Sequence, residues 1–500
     1  MVRYSYTDVL DSLCNTSGNT WLSYRQVEQV FHRNNQRMAS LNPLIQDGSI
    51  KLAQKGSTRY LTLRKYYQAE IDIVEHVFRI MNAPHPVYKE LLLDSIIDRI
   101  EKTNGATLHI NQRNAVKKGI NSSFMVLTGG PGTGKTFVLN FIHKVMQALN
   151  PNTRIDYAAP TGKAARRITE STGNYAMTLH SKLRITAENM EPTPLSADIA
   201  VLTVDEISML DIWTMLALMQ AVQTGTKVIL VGDTDQLPSV GPGAILRDLI
   251  ASHVVPVAAL TATFRQQGDS ILFDNIQRIK NGDPHLAAGE DFQIAIPKAG
   301  LSAQEILLWM YKKELKDWGR ATDVMCLTPF RQSGDTCSNI INTKIQEYIN
   351  PTGITYRRDD GCCFRKGDLV MQLENRDHIS NGDVGIVTEV YPGTGITVKY
   401  DDYVKDYGNF IMSDITLSYA MSIHKSQGSE ANSVVTLLLN EHQPLLQRNL
   451  LYTAVTRAKK KCSLFCHPEA VSKAVANEAS GTRTTMLKEL LQYKGTGKYK

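Results

Sequence analysis

The spacing of hydrophobic and polar positions changes character along the chain. In the first hundred residues, SYRQVEQVFHR and RMASLNPLIQDG space their apolar residues as two short helices, and IKLAQKGSTRYLTL reads as two strands around a Lys-Gly-Ser turn. Helix, helix, hairpin is the order of a winged-helix unit, and equally of a small packing domain. A longer helical stretch follows, from KYYQAEIDIVEHVFRIM to LLLDSIIDRIEKT. From Phe124 onward the apolar runs FMVLT, IDYAA, AVLTV and KVILVGD each lead into a helical segment or a Gly-rich turn. That alternation predicts a parallel sheet with helices on both faces. A charged stretch near Lys312–Arg320 precedes a second set, DVMCLTPF, SVVTLLL and KKCSLFC. Between its first two strands, residues 350–418 are rich in Gly and β-formers, as in FRKGDLVMQL, NGDVGIVTEVY and GITVKYDDYV. They predict a small antiparallel barrel inserted in a second α/β block.

Five hundred residues exceed what one core organises, so several domains are expected. The net charge of +6 permits a nucleic-acid partner without requiring one. The cysteines number seven and form no CxxC pair; Cys462, Cys466 and His467 cluster but lack further ligands, so reduced core thiols are expected. The start, MVRYSYTDVLDSLCNTSGN, has no apolar leader core, and no apolar run approaches the roughly 20 residues of a membrane span. A soluble cytoplasmic protein without a membrane partner is the expectation.

Residues 127–136, LTGGPGTGKT, change the picture. Gly129-x-x-x-x-Gly134-Lys135-Thr136 follows a strand and opens a helix, the context of a phosphate cradle. Gly130, Gly132, Thr133 and Gly134 bring backbone N–H groups to the phosphates, Lys135 neutralises the β and γ oxygens, and Thr136 offers a hydroxyl to Mg²⁺. The strand AVLTV ends in Asp205-Glu206, at the carboxyl edge where ligands sit in open α/β sheets. Asp205 completes the Mg²⁺ site, and Glu206 is placed to accept a proton from the attacking water. KVILVGD ends in Asp233-Thr234-Asp235-Gln236, which puts Gln236 within reach of both γ-phosphate and water. No base-reading NKxD of a GTPase occurs. A small-molecule kinase would not need two α/β blocks. ATP and Mg²⁺ are therefore the expected ligands.

Further stretches fall in order: NQRNAV (111–116), APTGKAARR (159–167), TLHSKL (178–183), VDEISM (204–209), VGDTDQLPSVGPG (231–243), LTATFRQ (260–266), YAMSIHKSQGSE (419–430) and LLYTAVTRAKK (450–460). The series resembles the superfamily 1 DNA helicases, and within them the RecD/Dda branch, over about residues 105–467. The resemblance implies two RecA-like P-loop motor domains, with ATP between them, and movement on single-stranded DNA from 5′ to 3′. It implies that Gln112 reads the adenine edge, that Arg265 and Arg457 are arginine fingers, that Glu430 holds the ribose, and that Gly428 lets the backbone pass close to the phosphates. Strand contacts would come from Pro160, Thr161, Lys163, Thr178, His180, Thr328, Ser422 and His424; His424 is also readable as a core histidine.

The expected division is an N-terminal helical or winged-helix-like domain (1–104), a first RecA-like domain (105–290), a second one (291–349 and 419–500), and an SH3-like β-barrel insertion (350–418). Only RITAENMEPTPLSADI (184–199) is available for a strand-separating β-hairpin, so any such pin is short. No relaxase His-x-His cluster and no nuclease metal site accompany the motor. The reading is an ATP-dependent DNA helicase acting as a monomer at single-strand/duplex junctions, with a single-strand-binding, replication or recombination protein as a further partner. The rivals are a DNA-stimulated ATPase that remodels nucleoprotein without processive unwinding, and an RNA helicase.

Overall fold

The computed structural model describes residues 6–33, 41–186, 188–262, 270–376, 379–401, 403–478 and 482–497. The first parallel sheet has the strand order Ala176–Thr178, Ile155–Ala159, Val201–Val204, Lys227–Gly232, Phe124–Gly129, Val257–Leu260. Its central strands are apolar at successive positions and buried on both faces, as a sheet lying between helices requires. Parallel strands deliver all their carboxyl ends to one edge. That edge collects the phosphate cradle, APTGK, Asp205-Glu206 and the 233–236 turn.

The second parallel sheet runs Phe292–Ala295, Ala458–Cys466, Ala431–Leu438, Val324–Thr328, Ala420–Ser422. Its last two strands are neighbours, with Thr328 opposite Ser422. The long excursion between them therefore leaves and returns at one place. That excursion carries helix Ser338–Ile349, the pair Thr355–Arg357 and Cys363–Arg365, and a five-stranded antiparallel sheet ordered Val404–Gly408, Gly395–Lys399, Val384–Tyr391, Leu369–Gln372, Ile415–Leu417. An apolar core containing Phe364, Val370, Tyr407 and Met412 is continuous with Leu307, Cys326 and Val435 of the second block.

The N-terminal unit consists of helix Tyr6–Ser17, strand Leu22–Ser23, helices Tyr24–Arg33 and Asn42–Gln46, and the hairpin Ile50–Lys55/Thr58–Leu63. The first helix and the short strand are additions to the sequence expectation. Helix Arg64–Met81 buries Tyr66, Ile73 and Val77 in the same core as Met215, Leu218 and Met219 of helix Ile212–Ala221.

Three expectations need correction. Helix Ile271–Lys280, assigned to the first block by a boundary at 290, joins the core of the second through Leu272, Ile276 and Ile279, which share it with Leu450 and Leu451. The terminal helix Leu487–Gly495, assigned to the second block, packs Leu487 and Leu491 into the core of the N-terminal unit and first block. Residues 184–199 form no paired strands among the described residues. Pro192 and Pro194 lack the N–H groups a ladder needs, and Ile185 and Ile199 are buried, with Leu195 N–H bonded to Ala221 O, so the segment lies down on the block.

The cysteines stay unpaired. Among the described residues no helix is long and apolar enough to cross a membrane, and no group of three His, Cys, Asp or Glu side chains could hold a metal.

A strap returns the chain from the second block to the first. Arg483 donates to Ser239 O, Gly241 O, Gly243 O and Ser239 Oγ, while Gly18 leaves room for its guanidinium. Thr484 O accepts from the N–H groups of Thr20 and Trp21. Glu70, buried beneath, accepts from Thr20 Oγ1, Trp21 Nε1 and Met486 N–H. Arg483→Ala leaves several carbonyls without their donor. Hydrogen–deuterium exchange should show the protection of helix 487–495 falling about tenfold to a hundredfold, the equivalent of about 1–3 kcal/mol. Unchanged protection would mean that the helix docks without the strap.

Candidate active site

The glycines of the cradle do two jobs. Gly132 and Gly134 adopt φ of +74° and +83°, where a side chain would be strained, and Gly134 caps helix Lys135–Leu149. The loop's N–H groups and the helix N-terminus thus face one point, which suits an anion. Lys135 Nζ donates to Gly129 O at 2.7 Å and Gly130 O at 3.1 Å, and Thr133 Oγ1 donates to Gly130 O. Thr136 is half-buried one residue into the helix. Gln112 is buried; its Nε2 donates to Thr133 O and its Oε1 accepts from His109 N–H. It braces the loop.

Val204 ends its strand, and Asp205 N–H still bonds across to Ala158 O. Glu206 then turns into the left-handed region at φ +53°, uncommon for a residue with a side chain. Asp205 Oδ1 accepts Glu206 N–H at 2.7 Å. Burial pushes the Asp205 carboxyl up to about 6; Glu206 adds to the shift and Lys135 opposes it.

The second block closes on this edge through the 233–237 turn. Tyr452 Oη donates to Asp233 Oδ2 at 3.1 Å, Asn449 Nδ2 to Gln236 O at 2.9 Å, and Gln427 Nε2 to Leu237 O at 3.0 Å. In the other direction Leu237 N–H donates to Thr453 Oγ1 at 2.9 Å. Gln236 Oε1 is buried without a partner. Arg457, just beyond helix Arg448–Thr456, is 2 % exposed. It donates to Thr453 O, Ser429 O and Thr456 Oγ1. Burial disfavours its charge, and Glu206 and Glu430 oppose that. A solvated residue in a basic surface run is excluded. Arg265 lies outside the described residues.

Two groups of cations join the site, and sequence reasoning named only Lys163 among them. Arg167 reaches Glu430, with Nη2 to Oε1 at 3.1 Å, and its charge is sustained against burial by Glu430, Glu206 and Asp205. The second group is a track across both blocks. Burial pushes the Lys163 ammonium down to about 8; Asp383 opposes this, while Arg166 and Lys425 add to it. Lys425 is in turn lowered by burial and by Arg331. Lys425 and Arg331 stand inside IHKSQGSE and TPFRQ, so the signal was a cation in each stretch, unread there. Thr161 and Thr178 cap their helices by accepting from Ala164 N–H and Ser181 N–H. Gly428, at φ +75°, lets the second block approach Thr161.

The AAA domain family matches residues 107–294, and the UvrD-like helicase C-terminal domain matches residues 417–465. The chain is similar to the RecBCD enzyme subunit RecD of Mycobacterium tuberculosis, 30% identical over 440 residues, covering 77% of this chain and 74% of that protein. The chain belongs to the RecD family of superfamily 1 helicases. It is also similar to the ATP-dependent RecD2 DNA helicase of Deinococcus radiodurans, 32% identical over 373 residues, and there it spans 73% of its own length but half of the relative's. Among solved structures it is similar to a Pif1 helicase described in DNA unwinding at forked duplex DNA, 20% identical, covering 73% of this chain and 94% of that one, with a TM-score of 0.47.

The strand contacts carried over to Thr328 and Ser422 from the RecD-like pattern do not match the contacts seen. Thr328 is fully buried and its hydroxyl donates to Phe330 O, while Ser422 is 8 % exposed beside it in the sheet, so neither side chain is open to a strand. Glu430 pairs with Arg167, Nη2 to Oε1 at 3.1 Å, and lies in the field of Arg457. Pro160 is half-buried beside Thr161, and burial lowers the pKa of both His180 and His424.

The turn contacts generate a test. Thr453→Val keeps the shape but removes the acceptor of the Leu237 N–H, at a cost of about 1–3 kcal/mol to the closed form. Distance distributions between spin labels on the two blocks should broaden toward longer separations. An unchanged distribution would mean that this bond does not hold the cleft.

Proposed function

We propose that the chain is an ATP-dependent DNA helicase that moves 5′ to 3′ along single-stranded DNA and opens duplex ahead of it. The observation that carries the reading is the pairing of two features across one cleft. A buried arginine of the second block lies in the field of Glu206 of the first, and Lys163 of the first block lies in the field of Lys425 of the second, which in turn feels Arg331. Hydrolysis and strand grip therefore share the same moving boundary.

Lys135 and the cradle N–H groups hold the β- and γ-phosphates. Glu206 takes a proton from the water whose oxygen attacks the γ-phosphorus, and the β–γ bridging oxygen leaves with ADP. Arg457 stabilises the charge that spreads over the transferring group. Thr136 and Asp205 fit Mg²⁺: a hydroxyl and a carboxylate border the cradle, and phosphate oxygens and water would complete the shell. Bound there, Mg²⁺ neutralises phosphate charge. The 233–237 turn, tied to helix 448–456 by hydrogen bonds in both directions, transmits closure. Lys163 on one side and Lys425 and Arg331 on the other would grip backbone phosphates alternately, which makes binding salt-sensitive and indifferent to base order. Single-strand/duplex junctions are the proposed substrate, and a monomer in the cytoplasm the proposed working form. The absence of paired strands in 184–199 among the described residues favours one second reading, an ATPase that remodels nucleoprotein without processive unwinding.

Arg457→Ala should bind an ATP analogue normally and lose DNA-stimulated turnover by about 10³-fold, the scale of an arginine finger. Arg457→Lys should not recover it, because an ammonium lacks the bidentate fork. Near-normal turnover in Arg457→Ala would overturn the two-block site. A duplex with a 5′ single-stranded tail should be opened and one with a 3′ tail should not. Hydrolysis without opening of either would select the remodelling reading.

A further inference from the structure

Between Gly48 and Ala69 the chain carries five cations, Lys51, Lys55, Arg59, Arg64 and Lys65, and no acid. These residues form the hairpin Ile50–Lys55/Thr58–Leu63 and the start of the helix behind it. The whole chain sets 55 basic residues against 49 acidic ones, so the run is a local concentration of charge. Elsewhere a surface cation has acids around it: Arg113 pairs with Asp94, Asp98 and Glu101. On the hairpin Lys55 pairs with Glu489 and Lys65 with Asp11, while Arg59 and Arg64 have no acid within ion-pair distance among the described residues.

The hairpin also reaches past its own core. Ile50, Leu61 and Leu63 are buried at its base, but Leu52 is 53% exposed and residues 54–59 are all exposed. Side chains alternate between the faces of a strand. Lys51 and Lys55 therefore leave one face, joined by Tyr60 opposite Ala53, and Arg59 leaves the other, opposite Gln54. The tip is charged on both faces and covered on neither. A cavity of about 340 Å³ lies between the hairpin, helix Ile245–Ala251 and the strap. Lys55, Tyr60, Arg247, Arg483 and Lys488 line it, against the acids Asp248 and Glu489. Asp248 is already committed to Arg247 and Thr485. Burial and the neighbouring Arg247 push the Arg483 guanidinium down to about 10, with Asp211 opposing, a crowding of cations that an anion in the cavity relieves.

We propose that this hairpin and the cavity beside it form a seat for the phosphate backbone of duplex DNA, separate from the single-strand track. The inference rests on the helicase reading above. A two-stranded ribbon fits the major groove of B-DNA, about 12 Å wide. Cations on both faces of the ribbon then meet phosphates on both sides of the groove, whereas a single strand offers phosphates to one face. Contacts of this kind fix position on the duplex without reading bases. The placement agrees. The N-terminal unit rests on helix Ile212–Ala221, with Lys65 Nζ 5.9 Å from the Trp213 ring centre, and the 184–199 segment packs Ile185 and Ile199 into the same core. The seat thus stands on the block whose pin segment forms no paired strands among the described residues, and holds the duplex beside it.

Of these cations, Lys55, Arg59 and Lys488 bear least on the fold, since the exposed Lys55–Glu489 pair is the one ion pair they make among the described residues. Lys55→Gln, Arg59→Gln and Lys488→Gln are combined in the full chain, and a second variant, Lys55→Arg, Arg59→Lys and Lys488→Arg, keeps the charge. Fluorescence anisotropy reads affinity for a blunt-ended duplex, without nucleotide, over a salt series. The neutral variant should bind the duplex at least about tenfold more weakly, and its slope of log affinity against log salt should be shallower by about 2–3, since each neutralised phosphate contributes about 0.9. The charge-keeping variant should match the unaltered chain. Affinity for a single-stranded oligonucleotide, and the ATPase it stimulates, should not change in either variant. Unchanged duplex affinity and slope in the neutral variant would overturn the seat. So would an equal loss for single strand and duplex, which would assign the hairpin to the strand track. A loss in the charge-keeping variant as large as in the neutral one would overturn it too, by making the effect structural. The duplex is bound here without nucleotide, so a chain that binds it through these cations but does not hydrolyse ATP would sink the helicase reading and not the seat.

Discussion

The contact between the 233–237 turn and helix 448–456 is what the remaining chemistry depends on. The turn follows a strand of the first sheet, and the helix precedes a strand of the second. The two sheets therefore register against each other through a few hydrogen bonds, with donors contributed by both sides. Arg457 takes its position from this contact, because the helix that carries Tyr452 and Thr453 ends at Arg457. Gly130 and Tyr452 show how close the approach is: a Cβ on Gly130 would stand 3.1 Å from the Tyr452 hydroxyl. A small shift of the helix would move the arginine, the tyrosine and the cradle glycine together. That suits a site that must be complete in one position of the blocks and incomplete in the other.

Much of this was legible in the sequence for a physical reason. A phosphate cradle needs glycines at fixed offsets, and a parallel strand needs a continuous apolar run before an acid. Such constraints act over a few residues and leave local marks. Gly132 and Gly134 take the left-handed conformation, Lys135 opens the helix, and Asp205 follows a buried strand. What the sequence hid was set by distant partners. Arg167 looks like any helix arginine until Glu430 arrives from the other block. Thr328 looks like an exposed polar residue after a strand, but its hydroxyl is consumed by Phe330 O and the neighbouring strand 420–422 covers it. Helix 271–280 carries helical periodicity without any sign of which sheet it will cover. The strap at Arg483 depends on carbonyls more than two hundred residues earlier in the chain.

Three of the contacts between the second block and the first differ in character. The 233–237 turn is a set of hydrogen bonds of 2.9–3.1 Å, one of them to the Asp233 carboxyl. The insertion meets helix 162–172 by charge: Arg166 faces Asp383 and Asp401, and Ser380 sits so close to Gly162 that a side chain there would collide. The strap is a partly buried guanidinium seated among carbonyls, with a docked terminal helix behind it. Exposed or partly exposed charge pairs are weakened by competing ions, whereas the strap is shielded. The insertion contact should therefore yield first to a polyanion, and the strap last.

That order has a mechanical consequence. If the strap holds while the other two contacts break, the blocks do not separate; they rotate about the end of the chain where residues 482–486 are anchored. Rotation about such a point moves the 233–237 turn little and the insertion, on the far side of the second sheet from strand 292–295, a great deal. The acidic corner of the insertion shares its cations, Lys163 and Arg166, with the track that a strand would occupy. A phosphate taking Lys163 would remove one of the two cations that oppose the burial of Asp383, and the carboxylate would then be left buried beside an anion. On the proposed reading, lifting of the insertion and seating of the strand would be the same event written in charge, and the strap would convert it into a turn of one block against the other.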